Sequence, residues 1–226
     1  MGGIGKTEVA MWYVFSRRTK FDAVFWINAD TTEKLSLGFT EMSMALGLED
    51  ESAPEDEIER RERVKGWLSN PIITANQGTP KANDEASWLL VLDNADDPNI
   101  LYDFWPDTGT GCVIVTSRNP LSKDTVYSPS LSIDLAPFKL NEAGPFLQSL
   151  SNREYEENSL EACTKIVEIL GGLPSGITQM GGITRRRHMS LEEFLAYYEE
   201  NAGNYMIQQF QAKGDPICKP SLPSGC

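Results

Sequence analysis

Histidine is almost missing from this 226-residue chain: His188 is the single copy. Cysteine is sparse too, with Cys112, Cys163, Cys218 and Cys226 the four present. None of them forms a C-x-x-C pair and no companion histidines exist, so a structural zinc site is not expected. Cys112 opens an apolar run and Cys163 falls on the apolar stripe of a helix, so both read as small core residues. Such usage fits a reducing, cytoplasmic compartment. Long hydrophobic runs are also lacking. None approaches the roughly 20 residues a membrane-spanning helix needs, which excludes an integral membrane protein of that kind. The N-terminus, MGGIGKTEVA, has no basic patch followed by an apolar segment and does not read as a secretory signal. Basic charge is scarce: 20 Lys and Arg stand against 33 Asp and Glu, a net charge of −13. Nucleic acid is therefore excluded as an electrostatic partner, because its phosphates would be repelled. The one dense basic run, Arg185 to Arg187, reads as a solvated helix end.

What is present is material for a core. Apolar residues make up 40% of the chain, with 5 Trp, 7 Tyr and 9 Phe, and the length suits one large domain or a domain with an appendage. A helix is expected from about Lys6 to Arg18, apolar nearly all round and so buried. AVFWIN, residues 23–28, has the look of a buried parallel strand. Thr31 or Thr32 can cap the next helix, which carries Leu35, Phe39, Met42 and Leu46 at helical spacing. The acidic stretch 49–62 reads as a solvated loop turning into a helix near Asp56, with Ile58, Trp67 and Leu68 on its apolar side. Residues 76–87 read as a loop. WLLVL (88–92) and CVIVT (112–116) are two further strands, and 131–135 a weaker fourth. Strands alternating with helices predict an α/β fold with a mostly parallel sheet.

After about Pro137 the strand signals stop. Leu160, Cys163, Ile166, Val167 and Leu170 form a helical stripe that ends at Gly171-Gly172. Pro174 is placed to start the next helix. Ser190 and Glu193 fit a capping box ahead of Leu191, Phe194, Leu195 and Tyr198. The expected organisation is a nucleotide-binding α/β domain over 1–137, a helical subdomain over 138–205 and a disordered tail over 206–226.

Three segments carry candidate chemistry. GGIGKT has the residues of a phosphate loop: glycines that let backbone N–H groups wrap a phosphate, Lys6 to reach the terminal phosphates and Thr7 to ligate Mg²⁺. Its fullest form would place another glycine one position before Met1. WLLVLDNADD ends an apolar strand in Asp93, where a carboxylate can hold Mg²⁺ through water. CVIVTSRN ends a strand close to Arg118, whose guanidinium could report a γ-phosphate.

Together these segments resemble the NB-ARC domain of the STAND class of P-loop NTPases, found in NOD-like immune and cell-death receptors. GGIGKTEVA resembles its Walker A segment, FDAVFWINAD the following strand, WLLVLDNADD its Walker B segment and CVIVTSRN its sensor strand. LAPFKLNEAGPFL and GGLPSGI are similar to later motifs of that family, and FWINAD, LDNADD and SLEEFLAYYEE look most like its fungal branch. The resemblance implies a P-loop NTPase three-layer parallel sheet, with its first strand missing, followed by a small ARC1-like helical subdomain. It implies binding of ADP or ATP with Mg²⁺ as a signalling switch in innate immunity, partnered by other domains or copies of an NLR-type protein.

Carried over by position, Gly3, Ile4, Gly5, Lys6, Thr7 and Glu8 form the nucleotide loop, Thr7 and Asp93 hold the metal, Asp93 is the Walker B acid, Arg118 the sensor and Pro174 the contact on the adenine side. Asn94 stands where an acid often follows the Walker B aspartate, leaving Asp96 or Asp97 as substitutes for orienting water. Ser175-Gly176 replaces the usual Leu-Ala of the GLPLA motif. The expectation is nucleotide binding with at most slow hydrolysis, in a chain truncated at both ends whose strands close around a gap. A catalytic P-loop ATPase of another class and a non-binding interaction fragment are the alternatives.

Overall fold

The computed structural model describes residues 2–48, 56–71, 85–106, 111–123, 131–151 and 159–200. The expected loop at 76–87 lies mostly outside these residues, as does much of the acidic stretch 49–62, and the expected tail lies wholly outside them. Among the described residues three strands form one parallel sheet in the order β1 (Ala23–Asn28), β2 (Trp88–Asp93), β3 (Cys112–Val115). Two compact units are distinguished by their internal contacts: Lys6–Asp134, and Met1–Gly5 together with Leu135–Cys226. The first is an α/β unit, and the described elements of the second are helices.

β2 is central because it is apolar on both faces. Trp88 to Leu92 are all buried, as a strand covered on both sides must be. Alternation sends Trp88, Leu90 and Leu92 to one face and Leu89 and Val91 to the other. On the first face lie helices α2 (Thr32–Leu46) and α3 (Glu57–Ser69), contributing Leu35, Phe39, Met42, Val64 and Leu68. Local chemistry sets both helix ends. Thr31 caps α2 by accepting the Lys34 N–H, Gly47 ends it in a left-handed conformation, and Asp56 caps α3 by accepting the Glu59 N–H. The Trp88 indole N–H, buried with the ring, donates to the Leu68 carbonyl at 3.0 Å.

On the other face α1 (Lys6–Arg17) presents Ala10 and Val14 to Leu89, Val91 and Ile114. The expectation of a buried α1 fails here: Trp12 is 72% exposed, Val9 51% and Phe15 48%. Only one side of the helix meets the sheet, and an apolar circumference cannot say which side. Four further expectations are corrected. Cys112 is exposed, because it opens an edge strand. Ile58 is exposed, and Val64 with Leu68 forms the buried side of α3. Residues 131–135 form no strand; Leu131 and Ile133 face solvent, since an alternating pattern becomes a strand only when a neighbour offers a ladder. Nor do the strands close around a gap: they pair directly, Asn28 opposite Asp93 and Leu92 opposite Val115.

In the other unit α4 (Leu140–Ser151), α5 (Ser159–Ile169), α6 (Pro174–Arg187) and α7 (Leu191–Glu200) enclose Ala143, Leu147, Cys163, Ile166, Val167, Ile177 and Phe194. The Ser190 and Glu193 capping box is formed on both sides, at 2.7 and 3.0 Å. Pro174 occupies the first turn of α6, and Arg185 to Arg187 are exposed at its end.

Candidate functional site

The loop glycines run directly into α1. Gly3 and Gly5 both have positive φ, +74° and +94°, which L side chains rarely adopt. Their reasons differ. A Cβ at Gly5 would meet nothing within 4 Å, so backbone conformation alone demands glycine there. At Gly3 a Cβ would also collide with the Ser175 hydroxyl, and the Gly3 carbonyl accepts the Ser175 N–H at 3.1 Å. That carbonyl satisfies a free N–H in the first turn of α6, whose cap residue Leu173 provides no side-chain acceptor. Ile4, Gly5, Lys6 and Thr7 are partly buried, and Glu8 is exposed in the first turn of α1, where an acid is favoured.

Within the α/β unit two hydrogen-bonded clusters lie at the carboxyl ends of the strands. The first surrounds Asp93, the last residue of β2. Thr7, in the opening turn of α1 and 86 positions earlier, donates its hydroxyl to Asp93 at 2.9 Å (Oδ1) and 3.2 Å (Oδ2). Thr116, just past β3, donates to Oδ1 at 2.5 Å and accepts the Asn94 N–H at 3.0 Å. Asn94 has φ +71°, a left-handed backbone that Asn tolerates far better than most side chains. The turn geometry thus gives a backbone reason for Asn at this position.

The second cluster ties the two strand ends together. Asp96 accepts the Arg118 N–H at 2.6 Å (Oδ1), its Nε–H at 2.6 Å and an Nη2 hydrogen at 2.5 Å (both Oδ2). The Asn119 side-chain amide donates to the Asp96 carbonyl at 3.2 Å. Arg118 holds the Asp96 carboxyl below its ordinary range, with a smaller contribution from the field of Lys6. Asp96 in turn raises the Arg118 guanidinium. Asp97 is engaged elsewhere, capping a short 3-10 turn through the Asn99 N–H at 3.0 Å.

Of the residues expected to act together, Thr7 and Asp93 are in contact. Arg118 pairs with Asp96, and Pro174 lies in the helical unit. Sequence reading missed Thr116 as a partner of Asp93 and Asp96 as the partner of Arg118. The usable signal was that both loops leave the same end of adjacent parallel strands.

A small parallel sheet with helices, a glycine-rich turn entering α1 and an acid at the end of the central strand is compatible with a P-loop NTPase-like fold. No family model matches the sequence. The chain is similar to a nucleotide-binding leucine-rich repeat (NLR)-like protein of Hyaloscypha variabilis, 25% identical over 221 residues that cover 89% of this chain and 21% of that protein. It therefore spans about a fifth of the length of the relative it matches. Among the described residues no helix is long and apolar enough to cross a membrane.

Proposed function

We propose that this chain is an adenine-nucleotide-binding module of the NB-ARC kind, working as a signalling switch in which ADP and ATP are the alternative ligands. The observation that carries the reading is the Thr7 to Asp93 hydrogen bond. It joins the residue after the loop lysine to the acid of the central strand, the two oxygen donors a Mg²⁺-nucleotide site needs. The donor set fits that ion. Hydroxyl and carboxylate oxygens are hard ligands, and Mg²⁺ is ordinarily held by one or two carboxylates together with substrate phosphates.

In this reading the backbone from Gly3 to Gly5 and the Lys6 ammonium bind phosphate, Thr7 and Asp93 hold the cation, and Thr116 fixes the orientation of the Asp93 carboxylate. Mg²⁺, when bound, neutralises charge on the phosphates. Without nucleotide the two acids that could orient water are both engaged, Asp96 by Arg118 and Asp97 by the Asn99 N–H. The similarity to a nucleotide-binding leucine-rich repeat (NLR)-like protein supports nucleotide binding. Calorimetric titration of ADP with Mg²⁺ tests the reading. Lys6→Ala should weaken ADP by about a hundredfold or more, as loss of a charged partner to a phosphate does. Unchanged ADP affinity in Lys6→Ala would refute the loop assignment, and absence of heat in the unaltered chain would favour an interaction fragment.

A further inference from the structure

Asp96 is an anion paired with Arg118 where the loops after β2 and β3 meet. Its carboxylate takes both side-chain hydrogen bonds of Arg118 that face it and the Arg118 backbone N–H, all between 2.5 and 2.6 Å. The same carboxylate feels the charge of Lys6, the residue that opens α1. The pair is not a buried strut: the Arg118 side chain is more than half exposed, so its guanidinium can leave without opening the core. Backbone bonds also tie the two loops together, Ala95 N–H to the Thr116 carbonyl at 2.9 Å and Thr116 N–H to the Leu92 carbonyl at 3.0 Å. These hold the strand ends whether or not the ion pair forms.

We propose that Asp96 is an internal competitor for the nucleotide's outermost phosphate, holding Arg118 so that the site discriminates against the more highly charged ligand until that phosphate displaces the carboxylate. The inference rests on the nucleotide-binding reading and deepens it by naming a regulator of the same site. The charge arithmetic is simple. Lys6, Arg118 and Asp96 sum to one positive charge, and without the carboxylate they sum to two. ATP carries one phosphate more than ADP and gains more from that change. Asp96 is a positioning residue here, acting through Arg118.

The test is a coupling measurement on the whole chain. Asp96→Asn keeps an oxygen able to accept the Arg118 N–H while removing the charge. With Mg²⁺ present, Asp96→Asn should raise the ratio of ATP to ADP affinity by about tenfold, within the range of ordinary coupling between sites. In an Arg118→Gln background the same substitution should leave that ratio unchanged. A purely structural role would lower both affinities together and leave the ratio alone, and that outcome overturns the proposal. So does a ratio that rises equally in both backgrounds, since the effect would then not pass through Arg118. Asp96→Ser, checked by circular dichroism, is a second variant should Asp96→Asn fold poorly. If the unaltered chain binds no ADP at all, the nucleotide reading falls and this proposal falls with it. If ADP binds and Asp96→Asn leaves the ratio untouched, the proposal alone falls.

Discussion

Leu89 and Leu90 are neighbours on β2 and both are fully buried, yet they live in different environments. Leu90 points into the face covered by α2 and α3, where Phe39 meets Phe104 edge to face at 5.1 Å and Leu35, Val64 and Leu68 complete the packing. Leu89 points to the face covered by α1, where Ala10 and Val91 are its buried companions and Val24 and Trp26 of β1 remain exposed. One face is a closed interior; the other is a thin cover whose outer helix is itself rich in exposed apolar side chains. Stability and candidate function divide along this line. The closed face anchors the strands, while Thr7, at the start of the thinly packed helix, meets Asp93 at the strand ends.

Leu90→Ala should produce the largest stability change, about 3–5 kcal/mol by denaturant unfolding, because neighbours packed from all sides cannot collapse into the cavity. Leu89→Ala should cost about 1 kcal/mol less, since a single covering helix can relax toward the space it leaves. Equal losses would erase the distinction between the faces. Trp12→Gln, on the outward side of α1, should alter stability by no more than about 0.5 kcal/mol. A loss above about 2 kcal/mol would mean that this side of α1 is covered in the folded protein.

The smallest effect expected is at the surface ion pair. Arg118 lowers the Asp96 carboxyl below its ordinary 3.8. The sign follows: protons bind the unfolded chain more readily, so the pair's stabilisation is present above that value and is lost as pH falls through the lower folded one. The thermal midpoints of the unaltered chain and Asp96→Asn should therefore differ constantly well above 3.8 and converge as pH falls below it. Parallel profiles would show that the pair adds nothing to stability, as is common for exposed ion pairs.

Much of this was legible in sequence wherever the cause was local. The capping residues Thr31, Asp56 and Ser190, the helix stop at Gly171-Gly172 and the apolar run of β2 each act through neighbours a few positions away. Gly3, Gly5, Lys6, Thr7 and Asp93 could be nominated from residue type and order alone. The failures share one origin. Apolar content alone predicts a buried α1, a core Cys112 and a strand at 131–135, but burial depends on which elements become neighbours. Its place after Asp93 makes Asp96 a candidate for orienting water, and nothing local shows that it will meet Arg118.

The sequence by itself determined most element types, several of their ends and the residue types offered for the candidate site, because propensity, capping and motif chemistry are properties of short segments. Tertiary structure decided the rest. Pairing β1, β2 and β3 directly, in that order, put the ends of β2 and β3 side by side, joined Thr116 to Asp93 and Asp96 to Arg118, and left one side of α1 facing water. Such contacts arise between residues 20 or more positions apart, and no local periodicity encodes which strand will lie beside which.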